Sequence, residues 1–166
     1  MNKNNTFNSF KITSYNSFAV NASIAVSQNP GKAYNPLFIY GCNGSGKTHL
    51  IQAIGNYILD NSNNKIIYVT SKIFINEYVQ GISNREMFAF KDKYRKTDVL
   101  LIDDIQYFQG NPGSQEELFH TINYLIAGKK QLVFTCDRPV LELKKVSEHL
   151  SSRLQQGLCV DLIKNE

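Results

Sequence analysis

A glycine-rich stretch at residues 41–48, G-C-N-G-S-G-K-T, constrains the fold of this chain more than any other segment. It fits the pattern G-x-x-x-x-G-K-[ST], which holds a phosphate group where a buried strand turns into a helix. The apolar run at residues 37–40 predicts that strand, and apolar residues at helical spacing within residues 49–59 predict that helix. A chance glycine-rich turn does not require these flanks, so the sequence favours a nucleotide-binding α/β fold.

The loop carries backbone and side-chain groups that suit a bound phosphate. Its candidate nucleotide-binding residues are Gly41, Gly44, Ser45, Gly46, Lys47 and Thr48. The glycines let the backbone approach phosphate oxygens closely, and free N–H groups at the helix N-terminus attract the anion. Lys47 is expected to reach the β- and γ-phosphates of ATP, and the Thr48 hydroxyl is expected to bind Mg²⁺.

Length and composition indicate a single domain. The chain has 166 residues, of which 42% are hydrophobic, enough for one core. No apolar run is long enough to cross a bilayer and no signal-peptide pattern is present, so a cytoplasmic location is expected. Three cysteines without metal-ligand spacing predict reduced thiols, and a net charge of +4 permits contact with nucleic acid without requiring it.

Apolar segments alternate with helical patterns along the whole chain. Strands are predicted at residues 37–40, 65–70, 99–102, 131–136 and 158–163. Ser71 is expected to cap the helix after the second strand, and Ser114 with Glu117 to form a capping box at the start of a helix over residues 114–127. This order predicts an α/β fold of the P-loop NTPase type, with a five-stranded parallel sheet covered by helices on both faces.

Two acidic residues follow the third predicted strand. The run Val-Leu-Leu-Ile at residues 99–102 leads into Asp103 and Asp104, and a buried strand delivers such acids to the carboxyl edge of the sheet. Asp103 is expected to hold Mg²⁺, and Asp104 to orient or deprotonate an attacking water molecule. An acidic turn after a core strand is the alternative, but the phosphate loop about fifty residues earlier makes it the weaker one.

Two further residues are candidates for the same chemistry. Asp137 follows the fourth predicted strand, so it suits a hydrogen bond to the catalytic water, sensing of the γ-phosphate, or simply a turn before Arg138. Arg153 lies on a short predicted helix and suits an arginine finger, although a solvated helix face explains it better from the residues alone.

Several stretches besides the phosphate loop are typical of one family. They are residues 33–41 (A-Y-N-P-L-F-I-Y-G), 46–50 (G-K-T-H-L), 100–106 (L-L-I-D-D-I-Q), 115–121 (Q-E-E-L-F-H-T) and 137–139 (D-R-P). Over nearly its whole length the chain resembles the ATPase domain of the DnaA family, the AAA+ initiators of bacterial chromosome replication. The resemblance implies that Asp137 is the sensor 1 residue, that Arg153 is an arginine finger acting in trans, and that Asn16 lies near the adenine.

The resemblance also implies a function and partners. Residues 71–95 match an initiator-specific helical insertion, on which Val79 faces single-stranded DNA. Proteins of this family assemble head to tail on the chromosomal origin in their ATP form, unwind DNA to start replication, and hydrolyse ATP weakly as a switch. They reach the replicative helicase through regions outside the matched segment, and lipid binding is a further property that the resemblance raises.

The chain departs from the family pattern in four places. No helical lid and no C-terminal DNA-binding domain follow the fifth strand, so residues 1–166 are expected to be a partial AAA+ core from a longer protein. The loop at residues 108–113 lacks the usual basic residues, His149 replaces an arginine, and Cys42 replaces a small loop residue. These differences keep two alternatives open: a DnaA-like regulatory ATPase that does not bind origin boxes, and a helicase loader.

Overall fold

The computed structural model describes residues 1–162, which form one five-stranded sheet with helices packed on it. All strand pairs are parallel, and the strand order is β2-β3-β4-β1-β5. The strands are β1 (Leu37–Tyr40), β2 (Ile66–Thr70), β3 (Val99–Asp103), β4 (Gln131–Cys136) and β5 (Leu158–Asp161). The predicted five-stranded parallel sheet is therefore confirmed, while the predicted last residue of the fifth strand, Ile163, lies outside the described residues.

Helices cover both faces of the sheet. They are α1 (Ser17–Gln28), α2 (Lys47–Asn61), α3 (Ser71–Ser83), α4 (Met87–Arg95), α5 (Pro112–Ala127) and α6 (Glu148–Gln155). Two short 3₁₀ turns, Ile105–Phe108 and Val140–Glu142, follow β3 and β4. Within residues 1–162, no helix is both long enough and apolar enough to cross a membrane.

Alternate residues of the central strands enter two separate cores. Leu37 and Ile39 of β1 pack in the core that α1 and α2 cover, while Phe38 packs in the core on the other face. Strands buried on both faces read as continuous apolar runs, and this explains why the sequence pattern located them well.

An aromatic cluster anchors the helices that follow β2. The ring centroid of Phe74 lies 5.2 Å from that of Phe90, 4.8 Å from that of Tyr94 and 5.7 Å from that of Phe108. The Tyr94 hydroxyl also donates to Glu77 Oε2 at 2.5 Å, which ties α4 to α3. These contacts hold the two helices against the sheet as part of the same body.

Two predicted helix starts were wrong. Thr70, and not Ser71, caps α3 by accepting the Ile73 N–H, while the Ser71 hydroxyl donates to the Asp103 carbonyl at 3.0 Å. The helix predicted to begin at Ser114 begins two residues earlier at Pro112, whose missing N–H suits the first helical turn. Ser114 and Glu117 therefore form no capping box, and Glu117 instead pairs with Arg95 at 3.2 Å.

Candidate functional site

The glycine-rich loop lies between the end of β1 and the start of α2, at the carboxyl edge of the sheet. Gly44 (φ 80°) and Gly46 (φ 101°) both adopt left-handed backbone conformations that side chains other than glycine rarely tolerate. A Cβ atom at Gly46 would also lie 2.9 Å from Cε2 of Phe10. The backbone conformation thus explains the glycine at both positions, and the contact with Phe10 is a second reason at Gly46.

Two polar groups inside the loop suit a bound anion. Lys47 is 6% exposed, and its ammonium donates to the carbonyl oxygens of Gly41 (2.7 Å) and Cys42 (2.9 Å). The Ser45 hydroxyl is buried and has no hydrogen-bond partner within residues 1–162. Both groups are hydrogen-bond donors that phosphate oxygens would satisfy. The buried Lys47 ammonium is held only by carbonyl groups, and the buried Ser45 hydroxyl lacks a partner among the described residues.

Thr48 and Asp103 meet directly across the site. The Thr48 hydroxyl donates to Asp103 Oδ2 at 2.8 Å, and the Tyr68 hydroxyl donates to the same oxygen at 2.7 Å. The predicted pair of metal ligands is therefore in contact, with Asp103 almost fully buried. Residues 1–162 contain no cluster of three or more His, Cys, Asp or Glu side chains, so a cation here would complete its shell with phosphate oxygens and water, as Mg²⁺ commonly does.

Asp104 occupies the turn immediately after β3. Its backbone is left-handed, with φ 65° and ψ 59°. Burial raises the pKa of its carboxyl group, and the negative charge of neighbouring Asp103 raises it further. Gln106 Nε2 donates to Asp104 Oδ1 at 3.3 Å, so this acid is held by a side chain of its own turn.

Asp137 lies at the end of β4, on the same edge of the sheet. Its carboxylate accepts two hydrogen bonds from Arg138, and this partner holds the pKa of Asp137 below its ordinary value. The Asp137 N–H donates to Gln106 Oε1 at 3.2 Å. Gln106 therefore joins the turns after β3 and β4, and links Asp104 to Asp137.

Two cavities adjoin the loop, and Asn43 and Gly44 line both of them. One, of about 350 Å³, lies over the phosphate-binding residues and is also lined by Asp104. The other, of about 370 Å³, is lined by Asn16 together with the neighbouring N-terminal segment. The Asn16 side chain accepts the Thr13 N–H at 2.8 Å and donates to the Lys11 carbonyl at 3.0 Å, so it fixes the fold of that segment.

Arg153 and Val79 lie apart from these cavities. Arg153 donates to Asn123 Oδ1 at 2.6 Å and to Gln156 Oε1 at 3.2 Å, and it lines neither cavity beside the loop. Val79 lies on α3 and is 51% exposed. The structure thus brings the loop residues, Asp103, Asp104 and Asp137 to one edge, whereas Arg153 does not reach the loop of its own chain.

Sequence reasoning missed three residues that organise this edge: Tyr68, Gln106 and Thr135. Gln106 belongs to the stretch Leu-Leu-Ile-Asp-Asp-Ile-Gln that carries the resemblance, and this was the one available signal for it. Tyr68 and Thr135 lie inside apolar strand patterns, where a polar group is read as an ordinary strand residue.

Comparison with known proteins identifies the family. The protein-family model of the bacterial DnaA ATPase domain matches residues 1–161 of this chain. The chain belongs to this family. It is 59% identical to the chromosomal replication initiator protein DnaA of Treponema denticola over 156 residues, covering 94% of this chain and 33% of that protein. DnaA of Treponema pallidum (strain Nichols) is 51% identical over 163 residues, with 98% of this chain and 35% of that protein covered. The chain therefore spans about a third of the length of these DnaA proteins.

Solved DnaA structures have the same architecture. Domain III of Thermotoga maritima DnaA gives a TM-score of 0.95 at 44% identity, covering 97% of this chain and 68% of that one. A DnaA bound to AMPPCP and single-stranded DNA gives 0.96 at 34% identity, covering 99% of this chain and 51% of that one. The DnaC helicase loader gives 0.78 at 17% identity, covering 98% and 97%, a likeness of fold alone. The predicted P-loop NTPase fold of the AAA+ class is thus confirmed.

Proposed function

We propose that this chain is the ATP-binding core of a bacterial replication initiator that assembles on the chromosomal origin in its ATP form. The observation that carries the proposal is the contact between Thr48 and Asp103, which joins the phosphate loop to the acid at the end of β3. This pair occurs in a chain of the DnaA family, in which a relative has been solved with an ATP analogue and single-stranded DNA. The fold likeness to the DnaC helicase loader does not favour that alternative, because at 17% identity it concerns architecture alone.

The phosphate loop would hold the nucleotide through the groups already described. The Lys47 ammonium would exchange the Gly41 and Cys42 carbonyls for phosphate oxygens, and the Ser45 hydroxyl would gain a partner. Thr48 and Asp103 would hold Mg²⁺, which when bound neutralises charge on the β- and γ-phosphates. Asn43 and Gly44 line both cavities beside the loop, and the phosphates would occupy the one that Asp104 lines. Asn16 lines the other cavity and would therefore lie beside the adenine.

Asp104 and Asp137 would act on hydrolysis. Asp104 lines the phosphate cavity, and its raised pKa makes it a better proton acceptor than an ordinary surface carboxylate. Asp137 would sense the γ-phosphate from the end of β4 through a water molecule that donates to both, because its carboxylate accepts hydrogen bonds and donates none. We propose slow hydrolysis in an isolated subunit, since Arg153 is bonded to Asn123 and Gln156 and does not reach its own loop.

The remaining parts of the proposal concern the assembled initiator. Arg153 would reach the γ-phosphate of the neighbouring subunit, so that ATP stabilises a head-to-tail assembly and hydrolysis releases it. The insertion formed by α3 and α4 would contact single-stranded DNA through Val79, half of which is exposed. The helicase would bind regions of the full-length protein outside this chain, and the whole would act in the bacterial cytoplasm, where the chromosome lies.

Equilibrium binding of fluorescent ATP and ADP, with and without Mg²⁺, tests the core of the proposal. Binding by the unmodified chain should be lost in Lys47→Ala, because that variant removes the only charged donor inside the described loop. Lys144→Ala is the matched control, since Lys144 is exposed and contributes no side chain to either cavity beside the loop. A folded chain that binds neither nucleotide, or a Lys47→Ala variant that binds as well as the control, contradicts the proposal.

A further inference from the structure

One threonine hydroxyl contacts both acids at the end of β3. Thr135 belongs to β4 and is fully buried. Its hydroxyl donates to Asp103 Oδ1 and accepts the backbone N–H of Asp104 at 2.9 Å. Within residues 1–162, no other side chain forms hydrogen bonds to both Asp103 and Asp104. Thr135 thus connects the strand before Asp137 to the two acids on the adjacent strand.

The contact to Asp103 fixes the orientation of that carboxylate. Oδ1 is held by Thr135, while Oδ2 accepts hydrogen bonds from Thr48 and Tyr68. A carboxylate anchored through one oxygen cannot rotate freely about its terminal bond, so the other oxygen stays directed at Thr48. Thr135 of β4 therefore determines which carboxylate oxygen of Asp103 faces the phosphate loop.

The contact to Asp104 fixes the turn that follows β3. The backbone ladder between β3 and β4 ends with the pairing of Ile102 and Phe134. Beyond that point the Asp104 N–H has the Thr135 hydroxyl as its acceptor, and the Asp104 backbone turns into its left-handed conformation. The Thr135 hydroxyl thus adds one hydrogen bond beyond the end of the backbone ladder. That bond sets the point at which the chain leaves the sheet, so that Asp104 lines the phosphate cavity.

We propose that Thr135 is a positioning residue for the magnesium–nucleotide site, since one hydroxyl sets both the metal-facing oxygen of Asp103 and the backbone of Asp104. The proposal rests on the proposed function, because it requires that the site binds Mg²⁺ with a nucleotide. Groups that orient a metal ligand are commonly worth about 10–100-fold in metal affinity. Thr135 lines neither cavity beside the loop, so it acts through the two acids.

Substitution by valine removes the hydroxyl and keeps the shape. Thr135→Val leaves Asp103 Oδ1 and the Asp104 N–H without this partner, whereas Thr135→Ser retains the hydroxyl. Thr121→Val is the matched control: Thr121 is also buried, but its hydroxyl donates to the Glu117 carbonyl within α5, at 2.9 Å. Thr135→Val loses two buried hydrogen bonds and Thr121→Val loses one, so both variants should lose stability and that loss alone is not the test.

The experiment is a titration of Mg²⁺ at a fixed concentration of fluorescent ATP, with the Mg²⁺-free affinity measured in chelator. Thr135→Val should need about tenfold more Mg²⁺ for half-maximal enhancement of binding, with Mg²⁺-free affinity unchanged within about twofold. Thr135→Ser should restore most of the wild-type midpoint, and Thr121→Val should leave it unchanged. A Thr135→Val midpoint equal to that of the wild type, or an equal shift in Thr121→Val, overturns the proposal.

Failure of the proposed function gives a different result, since the unmodified chain would then bind no nucleotide at any Mg²⁺ concentration.

A second measurement uses the unmodified protein, so its result does not depend on whether the variants fold. The Asp104 amide hydrogen should exchange slowly with solvent, because its acceptor is a buried hydroxyl. Rapid exchange of that amide in the folded protein would show that Thr135 does not hold the turn, and it would overturn the proposal whatever the variants do.

Discussion

The carboxylate of Asp137 is held by the guanidinium of the next residue, Arg138. Arg138 Nε donates to Oδ1 at 2.7 Å, and its second nitrogen donates to Oδ2 at 3.0 Å. Both acceptor oxygens of the residue expected to sense the γ-phosphate are therefore engaged within its own turn. Phosphate and carboxylate oxygens are both hydrogen-bond acceptors, so a bound γ-phosphate would compete with Asp137 for the Arg138 guanidinium.

Arg138→Ala should raise the pKa of Asp137 toward its ordinary value of 3.8, because Arg138 is the largest cause of the depression. A depressed acid pKa stabilises the folded state above the unfolded value, and the contribution is lost as pH falls through the folded value. The difference in unfolding free energy between wild type and variant should thus be present at pH 7, decline below pH 3.8, and vanish only once the pH lies below the lowered pKa of Asp137 in the folded protein. Carboxyl ¹³C shifts and denaturant unfolding across pH measure both quantities. A difference that persists undiminished at lower pH would contradict this origin.

Gln106→Ala should slow ATP hydrolysis without a matching loss of nucleotide binding. The side chain bonds Asp104 Oδ1 and the Asp137 N–H, so its removal loosens both residues while leaving the phosphate loop intact. A rate decrease of about tenfold is expected, smaller than the hundredfold or more that a general base contributes. Single-turnover hydrolysis and fluorescent ATP binding are the measurements. Gln109→Ala is the control, because the Gln109 side chain bonds only backbone groups.

Arg153→Ala and Lys47→Ala should complement each other when mixed. If Arg153 acts on a neighbouring subunit, each variant alone lacks one half of the shared site, and a mixture contains interfaces with both halves intact. An arginine finger contributes about 10³–10⁵ to the rate, so the recovered activity should stand clearly above that of either variant. Asn123→Ala tests the resting contact of Arg153, and it should not abolish hydrolysis. A mixture no more active than its components would place Arg153 outside the shared site.

Tyr94→Phe should lower the unfolding free energy by about 1.5–3 kcal/mol, the usual range for a hydrogen bond to a charged group. The Tyr94 ring is fully buried, and its hydroxyl donates to Glu77, which links α4 to α3. Tyr107→Phe is the control because Tyr107 is 44% exposed, and a change within about 0.5 kcal/mol is expected there. Denaturant titrations of the three proteins give the comparison. Equal effects of the two substitutions would show that the Tyr94–Glu77 bond does not hold the helices together.

Local sequence signals located the strands well and the helix starts less well. Both faces of the sheet are buried, so the central strands appear as uninterrupted apolar runs. The capping box expected at Ser114 and Glu117 failed because Pro112 starts α5 earlier and Glu117 is drawn to Arg95 on the neighbouring helix α4. A capping pattern describes only its own turn, and a partner from another helix can override it.

The sequence by itself determined the phosphate loop, the alternation of strands and helices, and the acids at the ends of β3 and β4. These features depend on spacing within one element, which a sequence displays directly. Only the tertiary structure decided that Thr135 would hold Asp103 and Asp104, that Gln106 would join two turns, and that Arg153 would lie away from its own loop. The physical reason is strand order: β3 and β4 become neighbours only when the sheet forms, and hydrogen bonds between their ends depend on that register.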